Sequence, residues 1–424
     1  MGESEIQRLV PLLDRFERPD WVRRLNAMGN SIGGAAVGAR RLIPIDADEL
    51  IETAMKSLDG DDSTGAIDGV GDFGDPDWRR RFDALVRGVD ELDMHVVGRL
   101  MTRQEILRSL RTRILLGREW ASKPQLAKEK IETPIVVTGP ARSGTSILFE
   151  LLSLDPGLRG PTAAEALHPV RFTDDSARLA MSECEQELWA DVAPQFAAIH
   201  ELRSDLPVEC VTLTMPSFCG PHWAMLGIAA METDMVETYA FEKRLLQVLQ
   251  HGEEKRTWLL KTPGHVITID LVFQTFPDAW VVMTHRDPAK TMPSTVSTTA
   301  IVQWMRSDSV DLGMLVRAIG GVFSGALDSV SERRATGGLP DRFVDVHFQS
   351  MLKDPVDTLR RTYVSMGREF SEEHAERIRR YLKEKPRGKF GVHKYTPEEW
   401  GFSKRETREN LAGYIERAGV ELED

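Results

Sequence analysis

Hydrophobic residues recur at helical spacing in the first part of the chain and form short unbroken runs in the rest. In residues 1–130, apolar side chains return every three or four positions, as at Trp78, Phe82, Leu85 and Val89. This period is typical of amphipathic helices that bury one face. We therefore predict an N-terminal helical domain over residues 1–130.

Acidic residues mark the starts of two of these helices. Asp46 is followed by Glu49 three residues later, a spacing that favours capping of a helix N-terminus. Asp75 stands before Pro76, and proline is favoured in the first helical turn. We predict one helix from each of these positions.

The pattern changes near residue 134. Short apolar runs now alternate with helical segments; they read "PIVVTG", "TWLLKT", "AWVVMTHR" and "RFVDVH". Strands that alternate with helices predict an α/β fold with a parallel sheet, and ligands bind such sheets at the carboxyl ends of the strands. We assign residues 131–424 to this second domain. The polar motifs described below all follow such runs.

Composition narrows the range of partners. The chain has 424 residues and a net charge of −12, which argues against nucleic-acid binding. It contains no run of about 18 apolar residues, so we expect no membrane span. Cys184, Cys210 and Cys219 are odd in number and lack paired metal spacing. We interpret them as reduced thiols and expect a cytoplasmic protein. Nothing in the composition argues against a homo-oligomer.

The segment after the first run resembles a phosphate-binding loop. Gly139 and Gly144 have the spacing of a G-x-x-x-x-G loop between a strand and a helix. Thr145 stands where nucleotide hydrolases carry lysine, whereas Ser146 keeps the hydroxyl and Arg142 supplies a cation. The loop amides and the helix N-terminus still favour an oxyanion, but ATP or GTP hydrolysis is disfavoured.

Two further segments carry groups that bind anions. Arg286 directly follows a predicted strand, and Ser294 lies two helical turns beyond it. A guanidinium and a hydroxyl at a helix start suit a second phosphate. A late segment is rich in cations and glycines, with Lys383, Lys385, Arg387, Gly388, Lys389, Gly391 and Lys394.

Together, "GPARSGTS", "HRDPAKTMPS" and "KPRGKFG" resemble the donor-binding motifs of sulfotransferases. These enzymes use 3′-phosphoadenosine 5′-phosphosulfate (PAPS) and release 3′-phosphoadenosine 5′-phosphate (PAP). Arg142 replaces the lysine of cytosolic sulfotransferases, so the resemblance is to the bacterial branch that shares motifs with tyrosylprotein sulfotransferases. It implies a P-loop-like sheet, no metal, and donor contacts from Arg142, Ser143, Gly144, Thr145, Ser146, Arg286, Ser294, Arg387, Gly388 and Lys389.

The same resemblance assigns catalytic roles. It implies that Arg142 and Lys261 stabilise the leaving phosphate, that Ser294 assists, and that Glu165 is the base. His200 and Glu209 in "IHELRSDLPVEC" are rival bases. His265 and His285, which lie near Lys261 and Arg286, are expected to orient the strand ends.

The acceptor is less constrained. Residues 208–241 are rich in large apolar side chains, which suit either a helical core or a pocket for a small hydrophobic alcohol or phenol. They are Met215, Phe218, Trp223, Met225, Met231, Met235, Tyr239 and Phe241. A nucleotide kinase or NTPase, and a non-catalytic PAP-binding protein on the same scaffold, are the competing interpretations.

Overall fold

A parallel sheet forms the centre of the second region. The structure, a computed structural model, describes residues 15–59, 71–170, 174–197, 201–228, 233–385 and 396–423. Within these ranges the strand order is β2-β3-β1-β4-β5, with all neighbours parallel. The strands are β1 (Ile135–Thr138), β2 (Leu158–Arg159), β3 (Thr257–Lys261), β4 (Trp280–His285) and β5 (Phe343–His347). The four predicted runs are β1, β3, β4 and β5, which confirms the α/β fold.

The register of the sheet places the strand ends that carry the motifs side by side. Val137 of β1 pairs with Lys261 of β3 on one side and with Val282 of β4 on the other. All residues of β1 are buried, as expected for a strand covered on both faces. The segments that follow β1, β3 and β4 therefore meet at one edge of the sheet.

Helices precede the sheet, as predicted. They are α1 (Asp20–Ser31), α2 (Ala35–Leu42), α3 (Ala47–Asp59), α4 (Trp78–Glu91) and α5 (Val96–Ser122). The Glu49 amide donates to the Asp46 carboxylate at 3.0 Å, which confirms the predicted cap of α3. The helix predicted after Asp75 is present as α4, but it begins three residues later, at Trp78. The buried Asp75 carboxylate accepts from the Asp77 amide at 3.1 Å and also binds Arg81 and Arg113.

Further helices surround the strands. They are α6 (Thr145–Leu152), α7 (Ala163–Leu167), α8 (Asp175–Val192), α9 (Pro194–Ala197), α10 (Cys210–Leu213), α11 (Pro221–Met225), α12 (Met235–Gln250), α13 (Ile269–Thr275), α14 (Pro288–Trp304), α15 (Leu312–Ala335), α16 (Phe348–Lys353), α17 (Pro355–Ser365), α18 (Glu372–Glu384), α19 (Lys404–Asn410) and α20 (Ala412–Arg417). Short 3₁₀ segments span Pro124–Lys128, Met215–Ser217, Pro263–Val266 and Glu398–Trp400.

The apolar core extends across the predicted domain boundary. One cluster joins Leu50, Phe82 and Leu110 of the N-terminal helices to Trp223 and Ile301 of the second region. Two other clusters cover the two faces of the sheet. The N-terminal helices therefore share a core with the second region, and the division into domains 1–130 and 131–424 stays a prediction.

One helix has the length and composition of a membrane span. Among the described residues, only α15 passes this test, and 33% of its most apolar stretch is buried inside the protein. It packs against α14 and α20. The expectation that the chain has no membrane span stays a prediction.

Candidate functional site

The loop after β1 passes unusually close to β4. Gly139 has φ of 132°, and a Cβ at this position would lie 2.5 Å from the Thr284 carbonyl oxygen. Gly144, with φ of 93°, precedes the first residue of α6. Arg142 also has a positive φ, 64°, which is uncommon for a residue with a side chain. The two glycines are therefore required by the backbone path of this loop.

The hydroxyl residues of the loop point in different directions. Ser143 is 1% exposed, and its Oγ lies 2.5 Å from both the Pro140 carbonyl oxygen and the Thr284 Oγ1. Thr145 is also buried, whereas Ser146 is exposed. The side chain of Ser143 thus stabilises the loop. No side chain caps α6, whose first amides favour an anion.

Lys261 lies beside this helix start. It ends β3, and its side chain is only 3% exposed. The Nζ atom donates to the Ser146 Oγ at 3.0 Å and forms an ion pair with the Glu209 carboxylate. The structure therefore brings together Lys261, the loop hydroxyl of Ser146 and one of the three candidate bases.

Main-chain pairing positions Glu209. The Ala163 amide donates to the Leu206 carbonyl at 3.0 Å, and the Val208 amide donates to the Pro161 carbonyl at 2.8 Å. These bonds align the segment before Glu209 with the segment after β2. Glu209 itself immediately precedes α10 and retains 24% side-chain exposure.

Glu165 has a different role in the structure. It forms a capping box at the start of α7, where its Oε2 accepts from the Thr162 amide at 3.0 Å. Its Oε1 accepts from Arg159 at 2.7 Å. Both carboxylate oxygens are therefore bound by the chain itself. This geometry does not support the predicted role of Glu165 as the base, which stays a prediction.

Arg286 contacts the same loop from β4. Its Nη1 donates to the Arg142 carbonyl oxygen at 2.9 Å, and its guanidinium lies 3.9 Å from the centre of the Phe348 ring. Its Nε and Nη2 donate to the two carboxylate oxygens of Glu423 at 2.7 and 2.9 Å. The paired N–H groups that the sequence predicts to bind a phosphate thus bind a carboxylate of the chain itself.

The segment that carries Glu423 is fixed in place. The Glu423 amide donates to the fully buried Asp287 carboxylate at 2.9 Å, and Arg408 binds both Asp287 and the Glu423 carbonyl. Glu423 lies 137 residues from Arg286 in sequence, so no local pattern could have identified this contact. Sequence analysis missed it.

The predicted helix after Arg286 is present. Asp287 accepts from the Ala289 amide at 3.0 Å and caps α14, which carries the buried Ser294. His285 approaches Asp345 at 2.8 Å and Tyr414 at 3.0 Å. These contacts fix the end of β4, as expected for His285.

Some predicted residues lie outside the described part of the chain. His200, Arg387, Gly388 and Lys389 are among them. Lys385, a described residue of the basic segment, donates to Glu150 of α6 at 2.9 Å and to Glu201 at 2.5 Å. Burial lowers the pKa of Lys385, but hydrogen bonds to Glu201, Tyr381 and Glu150 outweigh it and raise that pKa overall. The basic segment therefore begins beside α6.

The apolar residues predicted as core or pocket are mostly core. Phe218, Trp223 and Phe241 are fully buried. The Phe218 ring packs 4.9 Å from that of Phe82 in α4. Met231 lies outside the described residues.

The fold and site define a class of protein. A parallel sheet carries a glycine loop without the hydrolase lysine, and Lys261 and Arg286 both contact this loop or the helix that follows it. These features define a P-loop-like α/β protein. The sequence profile of the sulfotransferase family matches residues 134–372. The chain belongs to the sulfotransferase family and is a sulfotransferase enzyme.

Relatives agree with this assignment. The chain is 24% identical over 265 residues to the omega-hydroxy-beta-dihydromenaquinone-9 sulfotransferase Stf3 of Mycobacterium bovis, covering 59% of this chain and 67% of that protein. The sulfotransferase STF9 from Mycobacterium avium has a TM-score of 0.75 at 24% identity over 89% of this chain and 98% of its own. STF1 from Mycobacterium tuberculosis H37Rv has a TM-score of 0.67 at 25% identity, with coverages of 87% and 98%.

Proposed function

We propose that this enzyme transfers the sulfuryl group of PAPS to a hydroxyl of a small hydrophobic acceptor. The observation that carries the proposal is the contact of two cationic side chains with one anion-binding loop. Lys261 reaches Ser146 at the start of α6, while Arg286 bonds to the Arg142 carbonyl. A donor with anionic groups at both its 5′ and 3′ positions would use both cations.

The loop after β1 would hold the 5′-phosphosulfate through the amides around Gly144, Thr145 and Ser146, with Arg142 as the nearby cation. Arg286 and Ser294 would hold the 3′-phosphate. Arg387, Gly388 and Lys389 of the basic segment would complete the nucleotide site, as the family resemblance implies.

In the reaction, the acceptor oxygen forms a bond to sulfur while the bond from sulfur to the bridging phosphate oxygen breaks. The electron pair of the broken bond stays on PAP, and the acceptor proton passes to a base. Lys261 would stabilise the charge that develops on the leaving oxygen, a role supported by the contact of its buried amine with Ser146. Such a transfer relies mainly on positioning and electrostatics.

We propose Glu209 as the base, in place of Glu165. Glu209 contacts Lys261, the residue that we propose stabilises the leaving group, and this contact supports the assignment. Glu165 is committed to capping α7 and to Arg159. His200 remains the third candidate.

Acceptors of different acidity test this assignment. Glu209→Gln should lower the turnover number roughly 10²–10⁴-fold, the usual contribution of a general base, and PAP affinity should change little. A more acidic phenol loses its proton more easily, so it should partly restore turnover in Glu209→Gln. Glu165→Gln is the matched control and should show no such recovery. Recovery confined to Glu165→Gln or His200→Asn would transfer the role to that residue.

A hydroxylated apolar acceptor is supported by the Stf3 relative, which is named for an omega-hydroxylated dihydromenaquinone. The three cysteines form no disulfide, which supports the proposed cytoplasmic location. To identify the acceptor, we would supply PAPS and enzyme to a metabolite extract and search for products heavier by one sulfuryl group. A Lys261→Met enzyme serves as the control.

A further inference from the structure

Three buried side chains converge behind the Lys261–Glu209 ion pair. They are Cys210 at the start of α10, Glu242 in α12 and His265 in the 3₁₀ segment after β3. Each offers one ligand atom, and these atoms all lie within 4.8 Å of one another. The three residues are 3%, 2% and 3% exposed. A thiol, a carboxylate and an imidazole are thus concentrated in one water-excluded place.

Two of these groups have polar atoms without a protein partner. The Oε1 of Glu242 and the Nε2 of His265 are buried and make no hydrogen bond with the described residues. Leaving a buried polar atom unpaired costs about 1–3 kcal/mol, and more for a charged group. The two unpaired atoms therefore destabilise the folded protein, and a ligand that bonds to both of them would remove this destabilisation.

His265 is held in the orientation of a metal ligand. Its Nδ1 lies 2.6 Å from the Tyr239 hydroxyl, which in turn lies 2.8 Å from the Thr268 Oγ1. When Nδ1–H donates to Tyr239, Nε2 carries the lone pair that can bind a metal, and this atom has no hydrogen-bond partner among the described residues. Histidines that bind metals usually donate their other ring N–H to such an oxygen.

We propose that Cys210, Glu242 and His265 bind a Zn²⁺ ion. Zinc accepts sulfur, oxygen and nitrogen ligands in tetrahedral sites at roughly 2.0–2.3 Å. Tetrahedral ligand atoms would then lie about 3.5 Å apart. The observed atoms lie within 4.8 Å of one another, so the ion would draw the three side chains closer together. A thiolate and a carboxylate together neutralise the divalent ion, so the buried site carries no net charge.

The ion would act on the active site through position, a role that rests on the proposed function. Cys210 directly follows Glu209, and His265 lies four residues after Lys261. One ion would therefore fix the segments that carry the proposed base and the leaving-group lysine. It would take no part in the bond changes.

Cobalt substitution of the full chain tests the site without reference to activity. We expect one-to-one binding of Zn²⁺ and, with Co²⁺, a near-ultraviolet thiolate-to-cobalt absorption band. Cys210→Ser should abolish the band. Cys219→Ser is the matched control, since Cys219 is also buried but lies near Ser217 and Thr238, away from the cluster. A wild-type protein without the band, or a band that persists in Cys210→Ser, would overturn the proposal.

Glu242→Gln provides a second test if the cysteine variant fails to fold. Added Zn²⁺ should raise the melting temperature of the wild type and have much less effect on Glu242→Gln. Without a metal, replacing a buried carboxylate that has one unbonded oxygen with an amide should be neutral or stabilising, and Zn²⁺ should change neither protein. Equal stabilisation of both proteins would place the ion elsewhere and refute the site.

Discussion

Glu423→Gln should strengthen the binding of PAP, because Glu423 occupies the N–H groups of Arg286 that we propose bind the 3′-phosphate. The carboxylate accepts from Nε and Nη2 at 2.7 and 2.9 Å. A phosphate that approaches the same pair of N–H groups has to displace it. The glutamine side chain keeps the shape but loses the charge that holds it there.

The size of the effect follows from the contact. A hydrogen bond to a charged group contributes about 1.5–3 kcal/mol. The Arg286 and Glu423 side chains keep 20% and 17% exposure, so solvent screens part of the attraction. We therefore expect a gain of about 1–2 kcal/mol, equivalent to roughly 5–30-fold tighter PAP binding.

Titration calorimetry with PAP and with 5′-AMP at one salt concentration measures this gain. PAP affinity should rise in Glu423→Gln, whereas 5′-AMP affinity should stay constant because it lacks the 3′-phosphate. Glu421→Gln removes the same charge from an exposed neighbour and is the matched control. Its effect on PAP should be less than about twofold, as expected for a screened surface charge.

The opposite result would refute the reasoning. If Glu423→Gln weakens PAP binding, the carboxylate orients Arg286 for the phosphate instead of competing with it. If both variants bind both nucleotides more tightly and to the same extent, the cause is the overall negative charge of the chain. The contact between Arg286 and Glu423 then contributes nothing measurable.

Three further substitutions test other parts of the structure. Lys261→Met should lower the turnover number roughly 10²–10³-fold through loss of charge stabilisation, measured at saturating donor, and an unchanged rate would exclude the lysine from catalysis. Glu105→Gln should lower the free energy of unfolding in urea by about 3–5 kcal/mol, because the buried Glu105 carboxylate accepts from Arg306 at 2.8 Å through both oxygens. The control, Glu52→Gln, changes an exposed residue and should lower it by less than about 1 kcal/mol. Gly139→Ala should destabilise the protein by about 2 kcal/mol or more, since a Cβ would collide with β4; a neutral change would mean that the loop can move aside.

The sheet and its loop could be predicted because their signals are local. Strands buried on both faces read as continuous apolar runs, and each run ends at the residue where the structure ends the strand or within a few residues of it. The spacing of Gly139 and Gly144 reflects a backbone path that needs positive φ at both positions. Lys261 and Arg286 could be placed because parallel strands bring their carboxyl ends to one edge.

The base was harder to predict, although one signal was available. Thr162 and Glu165 have the spacing of a capping box, which indicates a helix start and a carboxylate already bound by backbone. Glu209 has no comparable local signal. Its partner Lys261 lies 52 residues away, and the contact depends on how the segment before α10 pairs with the segment after β2.

The cluster around Cys210 could not be predicted either, because its members are far apart in sequence. Cys210 has no second cysteine or histidine at metal-ligand spacing, so the sequence predicted no metal. Its neighbours in the cluster come from two other elements of the fold. Only the packing of α10, α12 and the 3₁₀ segment after β3 brings the three side chains together.

The partners of the cations explain why motifs alone give an incomplete site. Three described cations of the candidate site are each paired with a carboxylate. Lys261 pairs with Glu209, Arg286 with Glu423, and Lys385 with Glu150. Partly buried cations in an acidic chain need such counter-charges, since an unpaired buried charge is costly. On the proposed function, an anionic donor would therefore exchange with carboxylates of the protein itself. This exchange would lower the affinity for every anion. It would favour a ligand that can replace several carboxylates at once, as a nucleotide with separate 3′ and 5′ anionic groups can.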